Sequence, residues 1–143
     1  MFYSKLEDEF CTEGARGEVE ALNALLHKLV ATGGRLQAFK AETWTWAKGL
    51  FIAFTKIAYI IELPDSSAAP VADRSKLQGR FTTSGVIGLA TGLQGLLRNL
   101  RASRCTISSF EQKSTGWLIT SSTIHYVVEG SAEEISVFSL LAI

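Results

Sequence analysis

Cysteine and histidine are scarce in this sequence, two of each among 143 residues. Cys11 and Cys105 form no CxxC pair, and His27 and His125 stand far apart. A zinc signature and a disulfide framework are therefore both excluded as readings, and neither metal nor cofactor is expected. Charge of one sign is also lacking: 14 lysines and arginines balance 14 aspartates and glutamates. The broad attraction that draws proteins to nucleic acid is missing, so that class is disfavoured despite the cluster Arg98, Arg101 and Arg104. The same neutrality leaves little repulsion between copies. No GxxxxGK[ST], GxGxxG or nucleophile-elbow motif occurs, and no local Ser-His-Asp set can be read. The acidic opening, Met1 to Phe10, has no apolar h-region, so a signal peptide is not expected. Free thiols then suit a reducing, cytoplasmic setting.

Apolar residues are plentiful, at 47% against 20% charged, which suits one globular domain over residues 1–143. The densest apolar stretch is Leu50 to Leu63. It is rich in Ile, Phe, Tyr and Thr, the chemistry of strands, and both of its alternating sides are largely apolar. It is expected to be a central strand covered on both faces, by helices of the chain or by a second copy. A competing reading makes residues 36–63 one long helix, because Leu36, Phe39, Trp46, Leu50, Phe54 and Ile57 recur at helical spacing. Against that, Gly49 would sit mid-helix at a cost of roughly 1 kcal/mol. Trp46 to Leu50 instead fits a tight hairpin turn with Gly49 left-handed. A membrane span is disfavoured, because Lys56 interrupts a run shorter than the roughly 20 residues needed.

Elsewhere the patterns are simpler. Residues 1–16 read as irregular, with a helical turn near Ser4–Phe10. Glu18 to Val30 reads as an amphipathic helix with Leu22, Leu25, Leu26 and Leu29 on its stripe, stopped by Gly33-Gly34. Glu18 and Glu20 at its start and Lys28 near its end suit the helix dipole. Arg35 to Trp46 is the first hairpin strand, carrying Trp44 and Trp46 on one side. That aromatic pair either caps a core or forms a contact platform. Pro64 to Arg80 reads as a long flexible loop, a possible contact for another protein. Gly85 to Ala102 is the second helix, with Thr82, Thr83 and Ser84 as candidate caps. Gly85, Gly88, Gly92 and Gly95 stack along one of its faces. Four glycines cost such a helix about 3–4 kcal/mol, so close approach of another backbone is expected there, in the simplest case the same helix of a second copy. Cys105–Lys113, Trp117–Glu129 and Glu134–Ile143 read as three strands.

The expected fold is α+β: two helices packed on an antiparallel sheet, in the order α-ββ-α-βββ. That order resembles roadblock- and profilin-type sandwiches, on order alone and with no shared motif. Domains of that type work as dimers and scaffolds, although fold alone does not fix function. Zero net charge, abundant apolar residues, the glycine face, the apolar C-terminal strand and the lack of a catalytic motif lead to the expectation of a non-enzymatic, intracellular interaction protein whose partner is itself, a homo-oligomer. Gly85, Gly88, Gly92, Gly95, Trp44 and Trp46 are the candidate interface. The alternative is a small ligand-binding or acid–base enzyme domain, a cone of the ketosteroid-isomerase type. Its cavity would be lined by His125, Trp117, Tyr59 and Glu62, with Glu111 as a further partner for His125.

Overall fold

A computed structural model describes residues 2–47, 51–64, 74–116 and 120–142. Strand β1 (Phe2–Glu13) leads directly into helix α1 (Gly14–Thr32). The hairpin β2 (Arg35–Ala47) and β3 (Phe51–Pro64) follows. Strand β4 (Ser75–Ser84) leads into α2 (Gly85–Ser103), then come β5 (Thr106–Thr115), β6 (Ser121–Gly130) and a short helix α3 (Ala132–Leu141). The six strands form one antiparallel sheet in the order β1-β3-β2-β5-β6-β4. The α+β class is as expected, with two long helices on an antiparallel sheet. The long-helix reading of 36–63 is overturned, because Ala47 pairs with Phe51 across an antiparallel register that runs on to Arg35 and Glu62. Gly49 itself lies outside the described residues, and its expected left-handed conformation with it.

Three stretches differ from expectation. Residues 2–13 are a strand. Residues 75–80, read as loop, belong to β4, where Leu77 and Phe81 alternate with exposed Lys76, Gln78 and Arg80. Residues 65–73 of the expected loop lie outside the described residues. The third stretch, read as a last strand, is α3. It opens with a capping box, in which Ser131 Oγ accepts from the Glu134 amide and the Glu134 carboxylate accepts from the Ser131 amide.

The chain is an internal repeat. Ser4-Lys5-Leu6 returns as Ser75-Lys76-Leu77, Phe10 as Phe81, Gly14 and Gly17 as Gly85 and Gly88, and Leu22, Leu25, Leu26 and Leu29 as Leu93, Leu96, Leu97 and Leu100. The offset is constant at 71 residues from β1 through β2, as in Ser4 to Ser75. It falls to 67 in β3, where Tyr59 corresponds to Tyr126, each opposite a phenylalanine of the preceding strand. The structure repeats as faithfully. Both long helices open on a left-handed glycine, Gly14 at φ 73° and Gly85 at φ 75°. That conformation lets a strand turn into a helix with no loop between them. Both close on a left-handed cap, Gly33 and Arg104. Both hairpins carry a bulge at the same place, between Leu36 and Ala38 and between Ile107 and Ser109. The hydroxyl pair Thr43–Thr55, at 3.0 Å, returns as Ser114–Ser122, at 2.8 Å.

The two repeats meet at one register pair, Arg35 with Thr106, which are each other's counterparts. A pseudo-two-fold axis therefore passes between them. Along that row Lys5, Glu62, Arg35, Thr106, Glu129 and Lys76 cross all six strands. Arg74 binds Thr106 Oγ1 at 2.6 Å, and Lys76 meets Glu129 at 3.2 Å. The helices hold the halves together by crossing over. From α1, Asn23 donates to Gln112 of β5 at 2.7 Å, and His27 meets Phe110 edge to face at 5.3 Å. Gln94 of α2 donates to the buried carboxylate of Glu18 in α1. Because α1 begins at Gly14, Glu18 lies past the first turn and serves this bridge rather than the helix dipole; Lys28 likewise falls short of the last turn.

The core lies between the helices and one face of the sheet. Leu22, Leu26, Ile57, Ile61, Leu93, Leu97 and Ile124 are fully buried there. The opposite face of β3 carries exposed Lys56 and half-buried Ala58, Ile60 and Glu62. Among the described residues, then, the chain's own helices cover one side of the sheet, not both.

Candidate functional site

Outside the core, α1 and the helix-side face of β1 and β3 enclose an open groove of about 570 Å³. Phe10, Ala21, Ala24, Leu25, Lys28 and Tyr59 line it. The leucine stripe of α1 turns its inner residues to the core and leaves Ala21 and Ala24 at the groove's wall. Tyr59 is buried, and its hydroxyl accepts a hydrogen bond from Lys28 Nζ at 3.2 Å. The same ammonium stands 5.7 Å from the ring centroid, which adds a cation–π attraction. Phe10 meets Tyr59 edge to face at 6.3 Å. The floor is apolar, with one cation at one end and Asp8 on the strand side.

The repeat supplies a second copy of this groove on the other flank. Phe81, Gly92, Gly95, Leu96, Asn99 and Tyr126 are the counterparts of those six residues, and they line a residual pocket of about 240 Å³ together with Leu141 and Ala142. There α3 fills most of the space. Phe138 is fully buried and meets the Tyr126 ring edge to face at 5.8 Å. Burial pushes the Tyr126 hydroxyl above its ordinary pKa. The two sites are thus one design, seated with a helix in the second repeat and open in the first.

The glycine face belongs partly to this arrangement. Gly85 serves the strand–helix junction. A Cβ at Gly92 would come within 2.8 Å of the Phe81 ring and 3.0 Å of Thr83, so this glycine lets α2 approach the chain's own β4. Gly92 and Gly95 border the end of α3, while Gly88 and Gly95 have open space where a side chain would stand. Trp44 is exposed and stacks on Phe54 at 6.0 Å on the uncovered sheet face. The side chain of Trp46 lies outside the described residues, as does Trp117.

The alternative pocket residues are not brought together. Tyr59 faces the helices and is buried, Glu62 lies on the uncovered face at the junction row, and His125 is exposed on that face in the other repeat. His125 does have Glu111 opposite it on β5 and Arg80 opposite it on β4. Of the two thiols Cys11 is exposed and Cys105 buried, and burial pushes the Cys105 thiol above its usual pKa, against an activated nucleophile. Among the described residues no group of three metal-ligating side chains comes together, and no helix is long and apolar enough to cross a membrane.

Sequence reasoning missed the groove because it missed the repeat. The signal was legible in the recurrence of Ser-Lys-Leu, of Phe-x-Thr and of the leucine stripe at one offset. Comparison with known proteins gives no matching family model, no matching curated protein and no matching solved structure.

Proposed function

We propose that this protein is a non-catalytic assembly protein that works as a homo-oligomer. One observation carries the reading. Helix α3 is fixed to the body by Phe138, yet it presents Val137 and Leu140, with Leu141 at the rim of its own groove, at 38%, 72% and 44% exposure. These residues stand at i, i+3 and i+4, a continuous stripe on a helix already immobilised. Presented apolar area of this kind marks contact surfaces, and a rigid helix loses little further entropy on docking. Zero net charge opposes the approach of a second copy only weakly. Light scattering after size exclusion tests the reading. The parent is expected at a defined multiple of 15.5 kDa, and Leu140→Glu is expected to lower that mass with the far-UV spectrum unchanged. A parent that stays at the single-chain mass at every concentration overturns it.

The groove favours a second reading, a site for a small apolar ligand. Its volume of about 570 Å³ lies within the roughly 300–1,000 Å³ of small-molecule pockets, and Tyr59 and Lys28 would supply its polar contacts. Native mass spectrometry distinguishes the two readings, since a retained ligand adds a few hundred daltons to the single chain.

A further inference from the structure

We infer that the open groove between α1 and β1 is the receptor for α3 of a second copy, which lays its Val137–Leu140–Leu141 stripe into it. This rests on the assembly reading and names the two surfaces that meet.

The groove's counterpart shows what such a surface holds. Six lining residues of one groove correspond to six of the other, and the second repeat seats the 10-residue helix α3 on them with an apolar side chain against Tyr126. The first repeat offers Tyr59 in the same place, with Phe10 and Leu25 on either side of it. Residues 65–73, which follow β3 in the sequence as α3 follows β6, are two aspartates, two serines, three alanines, one proline and one valine, with no aromatic residue, so they carry no equivalent of Phe138. The partner helix must come from elsewhere.

Charge indicates its direction. In the filled groove Asn99 borders Leu141 and Ala142, the carboxyl end of α3. Its counterpart in the open groove is Lys28. A cation there faces the place where a helix running as α3 runs would end, and the unpaired carbonyls of a helix end attract cations. Helix α3 has Glu133 and Glu134 in its first turn and no basic residue in its last, so it brings no repulsion to Lys28.

The second copy is the occupant favoured because donor and receptor are both on this chain and neither is covered by any other described residue. They sit on opposite flanks of the pseudo-two-fold axis. A two-fold arrangement of two copies lets each place its α3 in the other's groove, which closes the assembly.

The test uses the full chain and three variants, Ala24→Trp, Leu140→Glu and the double. Ala24 is exposed on the groove wall, so an indole there fills the groove without entering the core. Each single variant is expected to weaken dimerisation at least tenfold in sedimentation equilibrium, and the double to be little worse than either. A parent that is monomeric overturns the assembly reading itself. An oligomer broken by Leu140→Glu but untouched by Ala24→Trp overturns only the groove as receptor. If Ala24→Trp misfolds by circular dichroism, mixed Ala24→Cys and Leu140→Cys chains in a Cys11→Ser background replace it. A disulfide-linked pair of chains is expected, and its absence overturns the proposal. Single chains carrying a small apolar molecule in native mass spectrometry, released by Ala24→Trp, overturn it in favour of the ligand reading.

Discussion

Gly79 and Asp8 occupy the same position in the two repeats, and the difference decides where a tyrosine lies. A Cβ at Gly79 would fall 2.1–2.4 Å from the end of the Tyr126 ring. Tyr126 therefore rests over a bare backbone and meets Phe138 edge to face. In the first repeat Asp8 fills that space, and Tyr59 bonds Lys28 instead. Gly79→Ala is expected to push Tyr126 off its seat and destabilise the protein by about 1–3 kcal/mol. Denaturant titration reads the loss, and proteolysis near α3 should quicken. The buried groups also set an alkaline limit. Cys105 and Tyr126 are acids whose folded pKa values are raised by burial above ordinary values of 9.0 and 10.0. Below pH 9 both are protonated in the folded and unfolded states and contribute nothing. As pH rises past those ordinary values the unfolded chain loses protons that the folded chain keeps, so stability falls. The melting temperature is expected to drop above about pH 9, and less so in Tyr126→Phe. No effect of Tyr126→Phe on the alkaline slope would remove that residue from the account.

At the scale of elements, the long helices were legible and α3 was not. The leucine stripes of α1 and α2 recur at helical spacing and bury as expected. In α3 the apolar residues Ile135, Val137, Phe138, Leu140 and Leu141 face nearly all ways, so periodicity fails and β-branched content suggests a strand. The informative signal was Ser131 with Glu134 three residues on, a capping box split by the expected strand start at Glu134. Strands β1 and β4 were missed for a related reason. Each is an edge strand with one buried side, and the prolines and serines just before β4 drew its first residues into the apparent loop. Without the repeat the candidate groove stays hidden in the sequence, because it joins Phe10, Leu25 and Tyr59 from three elements. Phe138 is the one anchor of α3 that is fully buried. Phe138→Ala is expected to cost about 3–5 kcal/mol and to free α3 before the sheet melts. Hydrogen exchange would show this as fast exchange over 132–141 with β5 and β6 still protected; uniform loss of protection would mean that α3 and the sheet unfold as one.

The whole molecule is two similar halves that depend on each other. They share one strand pairing, Arg35 with Thr106, but each long helix packs on the other half's hairpin, α1 on β5 and α2 on β2, with Asn23 bonded to Gln112 and Gln94 bridging the two helices to Glu18. Neither half can cover its core alone. Separate chains of residues 1–68 and 69–143 are each expected to lack the near-UV spectrum of the parent, and an equimolar mixture to regain it. A parent-like spectrum from either alone would show that the crossing contacts are dispensable.

The axis between Arg35 and Thr106 bears on ancestry. Two like halves joined in one chain are most simply a gene doubled and fused, descended from a protein that paired with itself. In that ancestor the residue on the axis faced its own copy. Two threonines can meet in this way and share a hydrogen bond, whereas two arginines would set like charges side by side. Arg35 therefore breaks, on the axis itself, the symmetry that the two halves keep elsewhere. Thr106→Arg, which would set two cations on the axis, is expected to destabilise the protein more than Arg35→Thr, which makes the pair symmetric. Equal losses in thermal melts would show that like charge on the axis does not matter.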